Sequence, residues 1–424
     1  MTKKRNAKKR NTRSRTARRS SPRPSPANGI TLIKVVGVGG GGGNAVTRMM
    51  EGERMRGVEF IAANTDAQDL DQALAHKKIY IGKALTRGLG SGMNPEVGKQ
   101  AAEENRSEIG EMLQGADVVF ITCGLGGGTG TGASPVIAEI AREKGILTVA
   151  IVTKPFSFEG TQRANIAQEG LLRLKDKVDA LVIVPNDRIF SIIEKETSVS
   201  KAFGFVDEIL KNAVQGIAEL INAPGIINVD FADMKAIIKD AGTTLIGIGV
   251  SQGPDRAAKA VTAAINSPLL EASIEGAKGV LFSIAGTKDL KMTEINEVAK
   301  VISGNVDPSA KIIFGAYYDR KLREKQLKVI VIATGFNGSQ LGSSRFEMPS
   351  LFGKREEKKD EFLEGFLKGE LEEERREMRK KDKEKKIGGE EKEKPLRNVE
   401  REKEKKQEEG SPWDIPAFLR RKKK

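Results

Sequence analysis

Gly124-Leu125-Gly126-Gly127-Gly128-Thr129-Gly130-Thr131-Gly132 is the stretch on which the fold turns. It follows an apolar run at residues 116–122 and opens a helix-like segment at 131–143. A glycine-rich turn between a strand and a helix exposes backbone N–H groups at the helix N-terminus, where the helix dipole adds positive potential. That combination binds phosphate. A second turn of the same kind lies upstream, Gly37-Val38-Gly39-Gly40-Gly41-Gly42-Gly43-Asn44, after the apolar run 30–38. Five consecutive glycines between a strand and a helix argue against a plain flexible loop. Two such turns, at the ends of two parallel strands, can wrap a chain of phosphates from both sides, with threonine hydroxyls as additional donors. The first turn alone satisfies G-x-G-x-x-G at Gly37, Gly39 and Gly42, and Asp66 lies 24 residues beyond Gly42, near the place of a ribose-binding acid. That dinucleotide reading, an oxidoreductase, leaves the second turn unexplained. The chain contains no G-x-x-x-x-G-K-[ST], which excludes a P-loop.

Outward from these turns, short β-rich runs recur at 59–63, 146–153 and 180–184, alternating with helix-like segments such as 161–174. The alternation predicts an α/β fold with a parallel sheet covered on both faces. A long helical segment over 199–222 ends at Ala223-Pro224-Gly225. Further β-like runs at 243–250, 279–284, 312–316 and 327–333, separated by helical segments near 255–265 and 291–302, predict a second, smaller α/β domain. The expected division is a disordered basic arm at 1–28, a nucleotide-binding domain with the central helix at 29–223, a second domain at 224–337, a charged linker at 338–410 and a tail peptide at 411–424.

Charge supports this division. Residues 1–28 carry 11 Lys and Arg and no acid, and 338–424 carry 26 against 22 Asp and Glu, so the net charge of +14 sits in the flanks. The arm is Arg- and Ser-rich like a transit peptide, but such basic blocks ordinarily stay unfolded. A nucleic-acid-binding scaffold would rest on the arm alone. The single cysteine, Cys123, allows no intrachain disulfide, and a single histidine, His76, leaves no Cys/His metal site. No apolar run reaches the ~18 residues of a spanning helix.

The string Gly-Gly-Gly-Thr-Gly-Thr-Gly at 126–132 is the signature by which this chain resembles the tubulin-like GTPases, and in particular the FtsZ family. Asn64-Thr65-Asp66, 88–92, Thr153-Lys154-Pro155-Phe156, 214–217 and 228–233 extend the resemblance over residues 30–337, and it returns at 412–420. It implies a GTP-hydrolysing, filament-forming protein of the bacterial division ring: cytoplasmic, at midcell, peripheral to the inner face of the membrane. GTP and GDP are the implied ligands, with Mg2+ held mainly by phosphates and water. By the resemblance, Gly41, Gly42, Gly43, Asn44 and Ala45 hold the diphosphate, and Gly128, Thr129 and Gly130 the triphosphate. Glu159 contacts the ribose, Arg163 reaches the ribose and phosphate region, Phe203 lies against the base, and Asp207 reads guanine by accepting from N1–H and the exocyclic amine. Without the resemblance, Glu159 and Arg163 would be a surface i,i+4 ion pair and Phe203 a core residue. A tubulin-like polymer serving DNA segregation is an alternative within the fold.

Asn228, Asp230 and Asp233 carry the remaining chemistry. Asp230 and Asp233 are spaced i,i+3, so both face one side of a helix start. Helix capping is the bland explanation. Two acids and an amide without basic neighbours also suit polarising a water for attack on a phosphoryl group. They lie past the long helix, away from both glycine turns. The resemblance implies that this loop enters the nucleotide site of the next subunit, which makes hydrolysis depend on head-to-tail contact. Residues 320–328 are basic where many relatives are acidic, which bears on bundling. At the far end, Trp413, Ile415, Pro416, Phe418 and Leu419 close a solvated spacer with nothing nearby to bury them. The resemblance implies docking on membrane-anchoring and regulatory division proteins, and the basic arm implies a weak contact with anionic lipid or DNA.

Overall fold

The computed structural model describes residues 31–336 except 52–54, 56, 192, 194–195, 223–224, 268–272 and 320. The arm, the linker and the tail residues Trp413, Ile415, Pro416, Phe418 and Leu419 lie outside the described residues.

The first layer contains β1 (Ile33–Val38), α1 (Gly39–Glu51), β2 (Val58–Asn64), α2 (Ala67–Gln72), β3 (Lys77–Tyr80), α3 (Lys83–Thr86), α4 (Pro95–Glu104) and α5 (Arg106–Leu113). It continues with β4 (Val118–Gly124), α6 (Thr129–Glu143), β5 (Leu147–Lys154), α7 (Thr161–Lys175), β6 (Ala180–Pro185) and the long helix α8 (Val199–Asn222). Beyond it come β7 (Gly225–Ile227), α9 (Phe231–Ile238), β8 (Gly242–Thr243), β9 (Leu245–Gln252), α10 (Arg256–Ile265), β10 (Gly279–Gly286), α11 (Met292–Ser303), β11 (Lys311–Tyr318) and β12 (Gln326–Thr334).

Seven strands form one parallel sheet in the order β3-β2-β1-β4-β5-β6-β8. Every residue of β1 is buried, as a parallel strand covered on both faces requires. Side chains alternate between two cores. Val36, Ile121 and Ile137 belong to the core on one face, and Val35, Phe120 and Met49 to the core on the other. The chain leaves β1 toward β2 and β3, then returns to lay β4 on the opposite side of β1. The boundary between β1 and β4 is therefore the topological switch point, where open α/β sheets bind ligands at the strand C-termini.

The second, smaller sheet has the order β7-β11-β10-β12-β9, with β10 and β11 parallel and the other pairs antiparallel. Leu210, Val214 and Ile217 of α8 share one core with Leu281 and Ile332 of this sheet. Gly216 lets α8 approach closely: a Cβ there would stand 2.9 Å from Ile330 Cδ1. The chain changes sheets over a single residue, since Thr243 pairs with β6 and Leu245 with β12.

Candidate functional site

The two glycine turns meet at the switch point. Gly37 of β1 pairs with Thr122 of β4, so the helices that follow start side by side. Gly39 takes φ +71°, a backbone open to glycine, and sets α1 off from the strand end. A Cβ on Gly39 would stand 3.0 Å from Gly130 N, and one on Gly41 would stand 3.4 Å from Gly124 N. The first N–H groups of α1 and α6 lack intrahelical acceptors. The site thus presents two positive helix ends and a lining of bare backbone donors. Gly41 and Asn44 are exposed, while Gly42, Gly43 and Ala45 are buried. The Ala45 side chain lies in the core, so only its backbone can serve a ligand.

The threonine hydroxyls expected to face phosphate are used inside the protein. Thr131 Oγ1 accepts from Gly126 N at 2.9 Å. Thr129 Oγ1 lies 2.6 Å from Thr65 Oγ1 and 2.9 Å from Ser91 Oγ, tying the second turn to the residue after β2 and to the loop before α4. Thr65 and Ser91 lie in strings that carry the resemblance but have no site role in the sequence reading, and α4 is not anticipated there. Their adjacency depends on sheet order and has no local signal.

Glu159 and Arg163 form the i,i+4 ion pair that the bland reading expected, and Glu159 also accepts from Phe156 N at 2.9 Å. The pair flanks the second turn, because a Cβ on Gly126 would stand 3.0 Å from the carbonyl oxygen of Arg163. Phe203 is not core: the residue is 44% exposed, and its ring packs edge-on against buried Phe156 at 5.3 Å. Phe158 and Phe190 complete an aromatic group around Phe156. Asp207 sits one turn beyond Phe203 on α8. Burial pushes its carboxyl up to about 6, with Arg48 of α1 opposing the rise. Arg48 also faces Gly204, where a Cβ would stand 3.2 Å from its Nη2.

Asp66 does not act as the ribose acid of a dinucleotide site. Its side chain caps α2, accepting from the N–H groups of Gln68 and Asp69. Asn228, Asp230 and Asp233 stand at the other end of α8. From Asp207 to Asn222 the helix rises roughly 22 Å, and β7 then carries the chain to the edge of the second sheet. Asp230 is the N-cap of α9, accepting from Asp233 N at 2.6 Å, and the Asn228 side chain accepts from Gly225 N at 2.7 Å. Asp233 is exposed, and its carboxylate has no hydrogen bond or ion pair among the described residues.

Two glycine turns at a switch point, an aromatic and a carboxylate on a long helix, and a second sheet beyond that helix define the class of tubulin-like GTPases. Residues 32–194 match the model of the Tubulin/FtsZ family GTPase domain, and residues 242–337 that of the FtsZ family C-terminal domain. Among solved structures, the empty FtsZ dimer of M. jannaschii is 50% identical over 72% of this chain and 88% of its own, with a TM-score of 0.68. A point mutant of the same FtsZ matches with 50% identity over 72% of this chain and 92% of its own, also at 0.68. CetZ1 of Haloferax volcanii, as a GDP-bound monomer, shares the fold at 22% identity and a TM-score of 0.64, over 73% of this chain and 95% of its own. The chain belongs to the FtsZ family. It is a GTP-binding, GTP-hydrolysing protein of the self-assembling cytoskeletal class. The oxidoreductase alternative is set aside. M. jannaschii is archaeal, so the bacterial source implied by the resemblance draws no support from these relatives.

Proposed function

We propose that this chain builds a division ring from head-to-tail filaments and hydrolyses GTP at each junction, where Asp233 and Asp230 of one subunit meet the nucleotide of the next. The observation that carries this reading is the separation, within one chain, of the acidic loop from the two glycine turns by the length of α8. In the proposed junction, Asp233 orients a water and accepts its proton as the oxygen attacks the γ-phosphorus. The bond to the β-phosphate oxygen breaks, and GDP and phosphate are released. Gly41–Gly43 and Gly128–Gly130 supply backbone donors, and Glu159 and Arg163 face the ribose. Phe203 covers the base and Asp207 reads it. The described residues contain no cluster of three or more His, Cys, Asp or Glu suited to a metal. Magnesium is proposed to be held mainly by phosphate oxygens and water.

A shared site makes turnover depend on assembly. Specific GTPase activity is expected to rise with protein concentration and to vanish on dilution to monomer. Constant activity per subunit throughout a dilution series would overturn the shared site.

Asp207 adds a pH signature. Ionised, it accepts both guanine donors; protonated, it loses that capacity. Because its carboxyl is raised to about 6 in the ligand-free protein, GTP affinity is expected to fall as pH drops from 7 to 5. The sign for folding is opposite. The buried charge lowers the stability of the empty protein above about 6, and protonation relieves that cost as pH falls toward the unfolded value. Isothermal titration with GTP across this range tests the assignment, and a flat profile would remove Asp207 from base reading.

No described helix is long and apolar enough to cross a membrane. The tail at 411–424 is proposed to tether filaments beneath the membrane through Trp413, Ile415, Phe418 and Leu419, with Pro416 fixing the backbone between them. Many copies along a filament turn weak contacts into avidity. Phe418→Ala is expected to leave assembly in vitro unchanged and to detach filaments from midcell. A normal membrane-attached ring in that variant would remove the tail from this role.

A further inference from the structure

The last turn of α8 is fastened to both sheets. Asn222 exchanges hydrogen bonds with the backbone of Thr31, at the entry to β1, at 3.2 Å each way. Three residues earlier, Glu219 points at the second sheet and collects three hydrogen-bond donors and a more distant lysine. Gln215 Nε2 lies 2.6 Å from Oε1, Tyr317 Oη 3.0 Å and Lys328 Nζ 3.1 Å from Oε2, and Lys321 Nζ stands 3.9 Å from Oε1. Glu219 and Lys328 are 19% and 16% exposed in their side chains, so this is a largely desolvated pair. Burial alone would raise the Glu219 carboxyl, but Lys328 and the donors around it hold it below the ordinary carboxylate range. Burial and the adjacent Glu219 push the Tyr317 hydroxyl far up, so it remains a donor.

Tyr317 is also the residue of β11 that pairs with Gly225 of β7, and the register shifts between it and Ala316. β7 leads directly into the acidic loop. That loop is pressed on the same strand: a Cβ on Gly315 would stand 3.0 Å from Val229 Cγ2, and one on Gly225 would stand 2.8 Å from Ala316 O. One residue therefore grips α8 with its hydroxyl and the entrance of the acidic loop with its backbone.

We infer that Glu219, Tyr317 and Lys328 act as positioning residues for GTP hydrolysis, fixing the acidic loop of residues 228–233 relative to the end of α8. The inference rests on the proposed role of Asp230 and Asp233. An ion pair that only held α8 on the second sheet would not need the tyrosine at the bulge beside β7. Loss of the clamp lets the acidic loop drift from the neighbour's γ-phosphate while the base and phosphate contacts, at the other end of α8, stay in place. Misplacement on the ångström scale is enough to slow a positioned reaction substantially.

The test uses the full chain with the single variants Tyr317→Phe and Glu219→Gln, their double, and Asp233→Asn. Arg256→Gln serves as a control that weakens an ion-pair cluster on α10 and α11, since buried Arg256 is held by Glu294 at 2.6 Å and Asp289 at 2.8 Å. GTP affinity, sedimentable polymer and turnover per polymerised subunit are measured for each. Each single variant of the clamp is expected to lower kcat about tenfold with GTP affinity unchanged, and the double no further, because residues acting as a unit are not additive. Arg256→Gln is expected to lower the melting midpoint while keeping the parent kcat per polymerised subunit. The inference is overturned by a parent kcat in Tyr317→Phe and Glu219→Gln, by losses that multiply in the double, or by an equal loss in Arg256→Gln. If Asp233→Asn keeps its turnover, the acidic-loop reading itself fails. If it loses turnover while the clamp variants do not, only the positioning inference fails.

Discussion

Asp233→Asn is expected to lower GTP turnover by about two to three orders of magnitude, within the range for loss of a general base, while GTP binding stays at the parent level. The two acids are not equivalent. Asp230 caps α9 through the N–H of Asp233 at 2.6 Å, so part of its value is structural. Replacing a cap residue with alanine costs about 1 kcal/mol. Asp233 has no such duty, and its exposed carboxylate is free for water among the described residues. Asparagine can still cap, so Asp230→Asn separates the charge of Asp230 from its role in the helix start. Both variants are expected to polymerise with GTP and to depolymerise slowly, because the nucleotide loops are untouched. The decisive measurement is phosphate release per polymerised subunit at saturating GTP. Asp233→Asn turning over at the parent rate would show that the water is activated elsewhere.

The glycine turns were legible because each is a local event: an apolar run ends, glycines follow and a helix begins. The second sheet was legible for the same reason, since β9 to β12 are long apolar runs. The region between β2 and β4 was not. β3 has four residues, Lys77 and Lys78 are exposed, and α2 to α5 are short with few apolar positions. Yet that region supplies Ser91, Asn94 and Gly98 around the second turn, and it does so through packing between distant segments. Asp66, on which the dinucleotide alternative rested, is a related case. A carboxylate at the right spacing from a glycine fingerprint reads as a ribose ligand until its own helix is seen, where it serves as the cap. Phe203 shows the reverse case. Its hydrophobicity allows a core assignment, and its exposure on α8 is what makes a base-stacking role physically available.

The packing of α4 on α6 gives the last glycine of the second turn a structural role besides phosphate binding. Gly132→Ala is expected to destabilise the protein by about 3 kcal/mol, at the upper end of overpacking costs. In an isolated helix the change would be favourable by up to ~1 kcal/mol, since alanine is the better helix former. Here the new Cβ would lie 1.9 Å from Pro95 O and 2.7 Å from Lys99 N, and backbone atoms cannot rotate away as a side chain can. Helix α4 must retreat as a body. It is anchored by Asn94, whose side chain caps it, and Gly98 is pressed so closely on the second turn that a Cβ there would stand 2.4 Å from Gly128 O. Retreat therefore loosens the loop carrying Gly128, Thr129 and Gly130 along with the helix. The melting midpoint is expected to drop by roughly 5 °C, and GTP affinity to fall at least tenfold through the disturbed N-terminus of α6. Gly127→Ala provides the contrast: a Cβ at Gly127 meets nothing within 4 Å, so the empty protein should melt as the parent does. Differential scanning calorimetry of the two ligand-free variants separates the cases. Equal midpoints would mean that α4 and α6 are not in the backbone contact described.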